Sequence, residues 1–112
     1  MLPKKFRLSK QEFKQVMDDG QMAPGKMMGI LILRIKDEGR RTKELPGAGI
    51  IVSKKLSNKA VVRNQLKRRL RAALQSVLPE LSDIHLVVLP NRRAIDASVE
   101  ELEKEIRLMV QK

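Results

Sequence analysis

Residues 60–78 read AVVRNQLKRRLRAALQSVL, the longest stretch of helical patterning in the chain, and Pro79 follows directly. At about 100° per residue, the apolar residues fall on one side of a helix and most basic residues fall on the neighbouring side. A helix with faces sorted in this way packs its apolar side against a core. We therefore predict a long amphipathic helix whose apolar side comprises Val62, Leu66, Leu70, Ala73, Leu74 and Val77.

Three cations of the predicted helix, Arg63, Lys67 and Arg71, recur every four residues. They span about 12 Å at a rise of about 1.5 Å per residue, so they can follow successive phosphates. Arginine binds a phosphate through two parallel hydrogen bonds, which suits the row to a shaped RNA. Two lysines before the helix lengthen this cationic surface, which we define as Lys54, Lys55, Arg63, Asn64, Lys67, Arg68 and Arg71.

The composition also favours a nucleic-acid partner. The 112 residues carry 24 Lys and Arg against 13 Asp and Glu, and residues 45–79 contain eight basic residues and no acid. Such a block is typical of proteins that bind polyanions. The alternative interpretation is a basic face that keeps the protein soluble. The length fits one domain, residues 1–112, and no membrane-spanning segment is expected. The absence of cysteine excludes disulfides and thiolate metal sites and fits the cytoplasm.

A first helix is predicted near the N-terminus. Ser9 and Glu12 have the spacing of a capping box, so the helix should begin at Lys10. Gly20 should end it in the left-handed conformation.

Three strands are predicted around the long helix. Residues 27–36 are apolar at both alternating sets of positions, which predicts a strand covered on both sides. Residues 48–54 predict a second strand that pairs with the first as a hairpin across the polar turn 37–43. Residues 84–89 predict a third, so that residues 48–89 form a β-α-β unit in a mixed α and β domain.

A last helix follows the third strand. It starts at Asp96 or at Ser98, where Glu101 completes a capping box with Ser98. Its buried stripe is predicted to contain Val99, Leu102, Ile106 and Met109.

The sequence contains no convincing active site of its own. His85 lies inside an apolar strand without a predicted partner, which favours a structural histidine. Asp37, Glu38 and Glu44 could gather a Mg²⁺ ion, although solvated turn residues are the simpler interpretation. No glycine-rich phosphate loop is present.

Several motifs together resemble the bacterial ribonuclease P protein subunit. The central motif combines a strand end with the start of the long helix, and its residue types, spacing and context agree with that family. It comprises VSKK at 52–55, AVVRN at 60–64, Lys67-Arg68 and Arg71, supported by LPKKFRL at 2–8, Asp83-Ile84 and Arg92-Arg93.

The resemblance implies a fold. The family fold is a single α+β domain in the order α-β-β-β-α-β-α with a mostly antiparallel central sheet. It contains a β-α-β crossover of the rare left-handed sense and is similar to a domain of a small-subunit ribosomal protein. From the residues alone the usual right-handed sense would be expected.

The resemblance also implies an activity. The ribonuclease P holoenzyme is an endoribonuclease that removes the 5′ leader from precursor tRNA. Its RNA subunit, which holds the Mg²⁺, carries the chemistry, so the protein has no catalytic residue and no metal ligand. The protein is expected to act as a monomer that contacts the RNA subunit through the cationic surface.

A cleft between the first helix and the sheet holds the leader in this family. The resemblance assigns to it Arg7, Phe13, Met17, Ile30 and Ile32. Phe13 is equally suited to a hydrophobic staple with Leu8. The sequence departs from the family at Met17, where a second aromatic is usual, and at Gln65, where an arginine is usual and Arg69 could compensate.

Two other classes of function compete with this interpretation. A ribosomal or general RNA-binding protein without a processing role would be compatible with the same charge and fold. A nuclease that cuts RNA by itself would require Mg²⁺ but no RNA partner.

Overall fold

The computed structural model describes residues 6–34, 46–81 and 83–110. Within these ranges the elements follow the order α-β-β-β-α-β-α, which confirms the predicted α+β fold. They are α1 (Lys10–Asp19), β1 (Gln21–Pro24), β2 (Met28–Arg34), β3 (Gly47–Ile50), α2 (Ala60–Val77), β4 (Ile84–Pro90) and α3 (Val99–Val110), with 3₁₀ turns at Leu78–Glu80 and Arg92–Asp96.

The ends of α1 lie where the sequence places them. Ser9 Oγ accepts a hydrogen bond from the Glu12 amide at 3.2 Å, and the Glu12 carboxylate accepts one from the Ser9 amide at 2.8 Å. The expectation of a left-handed Gly20 is wrong, because Gly20 is extended (φ −69°, ψ 151°) and leads directly into β1. A side chain here would collide with the Val16 carbonyl oxygen, which explains the glycine.

The strands lie in the order β1-β2-β4-β3, so the hairpin predicted between residues 27–36 and 48–54 is wrong. β2 pairs antiparallel with β1 on one side and with β4 on the other, which leaves no edge for β3. β3 instead pairs in parallel with β4, and α2 connects the two. The predicted β-α-β unit and the mostly antiparallel sheet are thus confirmed, while the left-handed sense of the crossover stays a prediction.

The sheet is covered on both sides, as the apolar pattern of residues 27–36 predicts. On one side α2 and α3 pack around a core in which Leu70, Leu86 and Ile106 are 0 % exposed. On the other side α1 packs against the sheet, and Val16 and Val87 are likewise 0 % exposed. We call this second side the α1 face.

Both later helices keep close to their predicted ends. α2 ends at Val77, and the following 3₁₀ turn contains Pro79. α3 follows Ser98, whose hydroxyl accepts the Glu101 amide at 3.1 Å while the Glu101 carboxylate accepts the Ser98 amide at 3.1 Å. Of the two predicted starts Ser98 is therefore correct, and Asp96 lies in the preceding 3₁₀ turn.

Candidate RNA-binding surface

The apolar side of α2 anchors the helix in the core. Its residues Leu66, Leu70, Ala73, Leu74 and Val77 are each 0 % exposed. Three basic residues lie on the adjoining arc, where Lys67 and Arg71 are half-buried and Arg68 is exposed. The helix therefore holds these charges in fixed positions at the surface of the domain.

Among the described residues, most of the cationic surface has no internal partner. Six of its side chains form neither an ion pair nor a hydrogen bond with any described residue: Lys54, Lys55, Asn64, Lys67, Arg68 and Arg71. Like charges four residues apart on a helix destabilise it by about 0.2–0.5 kcal/mol per pair. An anion bound along the row would remove that repulsion.

Arg63 differs from the other residues of the cationic surface. Its Nη1 donates a hydrogen bond of 2.7 Å to the carbonyl oxygen of Ser57, in the segment before α2. This hydrogen bond links the half-buried Arg63 of the helix to the segment that follows Lys54 and Lys55.

The guanidinium of Arg69, the residue expected to compensate for Gln65, is bound to the protein backbone. At about 100° per residue, Arg69 lies roughly 40° around the helix from Gln65 and roughly 160° from both Lys67 and Arg71. Its guanidinium donates hydrogen bonds of 2.6 Å to the carbonyl oxygens of Ile95 and Ala97. Arg69 is therefore engaged with the protein backbone on the opposite flank of the buried stripe.

Two further arginines lie at the same end of the sheet as Lys54 and Lys55. Ile50 pairs with Val88 in the parallel ladder, so the chain beyond β3 and the chain beyond β4 leave the sheet at one end. Arg92 and Arg93 immediately follow β4, and both are exposed. The sequence shows these arginines, but only the parallel register places them at the same end of the sheet as the two lysines.

His85 is buried on the α1 face with 6 % exposure, and it has a partner that the sequence does not predict. Its Nε2 lies 3.4 Å from a carboxylate oxygen of Glu12 on α1. Burial lowers the pKa of His85 and outweighs the opposing effect of Glu12. The hydrogen bond from the Ser9 amide is the main cause that lowers the pKa of Glu12. The pair joins α1 to β4.

The expected leader cleft is only partly assembled. Phe13 and Met17 lie on α1, where Met17 is 42 % exposed, and the backbone of Arg7 bridges to Ala48 of β3. Ile30 is 0 % exposed in the core under α2 and α3, and Ile32 packs against the same core. Their assignment to the cleft is therefore wrong, because they lie on the side of β2 opposite Phe13.

Other partly buried apolar residues surround Phe13 on the α1 face. They are Leu8, Leu33, Ile51 and Leu89. The Phe13 ring lies directly over Gly49 of β3, since a Cβ at Gly49 would be 2.8 Å from Phe13 Cε2. Glycine at this position lets the ring approach the backbone of the sheet.

The described ranges contain neither a candidate metal site nor a candidate membrane span. There, no group of three or more His, Asp or Glu residues could hold a metal ion. Asp37, Glu38 and Glu44 lie outside the described residues. None of the helices in those ranges has the length and apolar character needed to cross a membrane.

Comparison with known proteins gives consistent matches along nearly the whole chain. The family model "Ribonuclease P" matches residues 2–112. A "Ribonuclease P protein component" of Cyanothece sp. is 32 % identical over 124 residues, with 98 % of this chain and 93 % of the relative covered. That of Picosynechococcus sp. is 34 % identical over 113 residues, with 98 % and 92 % covered.

Solved structures share the fold. An RNase P protein mutant of Staphylococcus aureus matches with a TM-score of 0.77 at 21 % identity, covering 96 % of this chain and 87 % of that one. The RNase P protein of Thermotoga maritima matches with a TM-score of 0.73 at 18 % identity, covering 95 % and 96 %. The family model and the relatives together show that the chain belongs to the ribonuclease P protein family.

Proposed function

We propose that this chain is the protein subunit of a ribonuclease P holoenzyme that removes the 5′ leader from precursor tRNA. In this proposal it acts as a monomer and contacts the catalytic RNA through the cationic surface. The observation that carries the proposal is the group of three α2 cations Lys67, Arg68 and Arg71, whose side chains are without a partner in the described part of the chain. The buried side of α2 fixes the helix that carries these three cations, so that they can match a folded RNA.

The cations act by lowering the repulsion between RNA phosphates. Each phosphate that a Lys or Arg neutralises releases condensed counterions, so binding weakens steeply as salt rises. With this repulsion reduced, the RNA folds and binds its substrate at a lower Mg²⁺ concentration. In this proposal the RNA holds the Mg²⁺ and carries out the hydrolysis, and the protein provides no metal ligand.

The 5′ leader is proposed to bind on the α1 face beside Phe13 and Met17, with Arg7 near the edge of β3. Stacking of a base on an aromatic ring contributes about 1–3 kcal/mol. The described residues of this face offer one such ring, Phe13, because Met17 occupies the second position. We therefore expect a single stacked base, aided by apolar contacts with Ile51 and Leu89.

Reconstitution with a bacterial ribonuclease P RNA tests the assignment. At a Mg²⁺ concentration too low for the RNA alone, adding the wild-type protein should restore cleavage of precursor tRNA. The variant Lys67→Ala/Arg68→Ala/Arg71→Ala should restore it far less while remaining folded. Unchanged cleavage with saturating wild-type protein would contradict the proposal and favour a general RNA-binding role. Cleavage by the protein without the RNA would instead support a nuclease.

A second comparison tests the leader site. The holoenzyme should bind precursor tRNA more tightly than mature tRNA, and Phe13→Leu should reduce this preference while keeping an apolar side chain over Gly49. Gln15→Ala, at an exposed position of the same helix, serves as the control. An undiminished preference for the leader in Phe13→Leu would remove Phe13 from the site.

A further inference from the structure

We infer that Arg69 is a positioning residue, which fixes the 3₁₀ turn Arg92–Asp96 against α2 so that Arg92 and Arg93 bind RNA phosphates together with the cationic surface. This inference rests on the proposed function, because it concerns how the same RNA is bound. Arg69, which is half-buried, thus binds the protein backbone, whereas Arg92 and Arg93 belong to the RNA interface.

The geometry of Arg69 supports a role inside the protein. Its Nη1 donates to the Ala97 carbonyl and its Nη2 to the Ile95 carbonyl, both at 2.6 Å. A guanidinium is planar and presents its donors as a fork, so it can bridge two carbonyls that a lysine could not bridge in the same way. Ala94 and Ala97 are 0 % and 4 % exposed, which seats the turn on the core beside α2.

The other end of the turn is held as well. Asn91 Oδ1 accepts the Arg93 amide at 2.9 Å, and Asn91 Nδ2 donates to the Lys26 carbonyl at 3.0 Å. The Glu105 carboxylate in turn accepts the amides of Lys26 and Met27 at 3.0–3.2 Å. The backbone of the turn is thus anchored from both sides.

The side chains of Arg92 and Arg93 contrast with this fixed backbone. Both residues are exposed, and in the described part of the chain neither side chain forms an ion pair or hydrogen bond. The two arginines follow β4 at the end of the sheet where Lys54 and Lys55 follow β3. A backbone ordered before binding does not lose that freedom on binding, so the two arginines can engage phosphates at a smaller entropic cost.

A double-mutant cycle tests the inference. The proteins are the wild type, Arg69→Met, Arg92→Ala/Arg93→Ala and the combination. Their affinities are measured for ribonuclease P RNA alone and for its complex with precursor tRNA, so that the two sources of phosphate are distinguished.

Arg92→Ala/Arg93→Ala should weaken binding by about tenfold in at least one arm, as expected for one charge-assisted hydrogen bond. In the Arg69→Met background the same change should weaken binding by less than about threefold, since effects are not additive when one residue acts through another.

Arg68→Met is the matched control, because it removes a charge from the same helix without touching the turn. Its effect should add to that of Arg92→Ala/Arg93→Ala. Arg69→Lys keeps the charge but loses the forked donors of the guanidinium, so it should behave like Arg69→Met. If Arg69→Met does not fold, Arg69→Lys replaces it in the cycle.

Three results would overturn the inference while leaving the proposed function intact. One is full additivity between Arg69→Met and Arg92→Ala/Arg93→Ala, which a merely structural Arg69 would produce. Another is a log-log salt slope reduced by about 0.7–0.9 in Arg69→Met but not in Arg69→Lys, which would mark Arg69 itself as a phosphate contact. The third is unchanged affinity of Arg92→Ala/Arg93→Ala in both arms. Failure of the wild-type protein to bind ribonuclease P RNA would contradict the proposed function instead.

Discussion

Leu70→Ala and Arg68→Ala, two changes on one helix, should have opposite consequences. Leu70 is 0 % exposed in the core between α2, α3 and the sheet, so its truncation leaves a cavity. Such truncations cost about 2–5 kcal/mol. Arg68 is exposed and makes no side-chain hydrogen bond or ion pair among the described residues, so Arg68→Ala should change stability by less than about 0.5 kcal/mol.

Far-UV circular dichroism during urea and thermal unfolding is the suitable assay, because the chain has no Trp or Tyr. For a domain of this size, 1 kcal/mol shifts Tm by at least about 3 °C, so Leu70→Ala should lower Tm by at least about 6 °C. RNA affinity, measured well below Tm, should fall for Arg68→Ala and stay near the wild-type value for Leu70→Ala. Equal losses of stability in the two variants would refute the assignment of the two sides of α2.

Three further outcomes follow from the contacts of the α1 face and α3. Gly49→Ala places a Cβ 2.8 Å from the Phe13 ring, so it should destabilise the fold by about 1–3 kcal/mol. Adding Phe13→Leu to this variant should recover part of the lost stability. Unchanged stability of Gly49→Ala would contradict the packing of the ring over Gly49. Because the pKa of His85 is lower in the folded state, its protonation favours unfolding, so stability should rise with pH up to about 6.5. His85→Leu should abolish this rise, and an unchanged pH profile would show that another group titrates. Glu105→Ala leaves the amides of Lys26 and Met27 without their acceptor and should cost about 1–3 kcal/mol in urea unfolding, whereas an unaltered midpoint would show that water replaces the carboxylate.

The elements that the sequence predicts well are those set by local contacts. The capping boxes of Ser9 and Ser98 fix the starts of α1 and α3, since both partners lie three residues apart. The apolar spacing of α2 likewise reports its buried side, because one helix supplies the whole pattern. The four-residue strand β1, with one partly buried and three exposed residues, has no comparable signal.

The errors concern contacts between residues far apart in the chain. Neither the pairing of β2 with β4 nor the hydrogen bonds from Arg69 to Ile95 and Ala97 can be inferred from nearby residues. The assignment of Ile30 and Ile32 to the cleft fails for a related reason. β2 is apolar on both sides, so alternation alone does not identify the side that faces α1.

The salt dependence of binding to ribonuclease P RNA tests the central claim most directly, and it compares the wild type with Lys67→Ala/Arg68→Ala/Arg71→Ala. If about five phosphates are engaged, the wild-type log-log slope should be roughly −3 to −5. The triple variant, folded and equally stable, should have a slope shallower by about 2–3. Parallel slopes for the two proteins would show that these three side chains do not contact the RNA backbone.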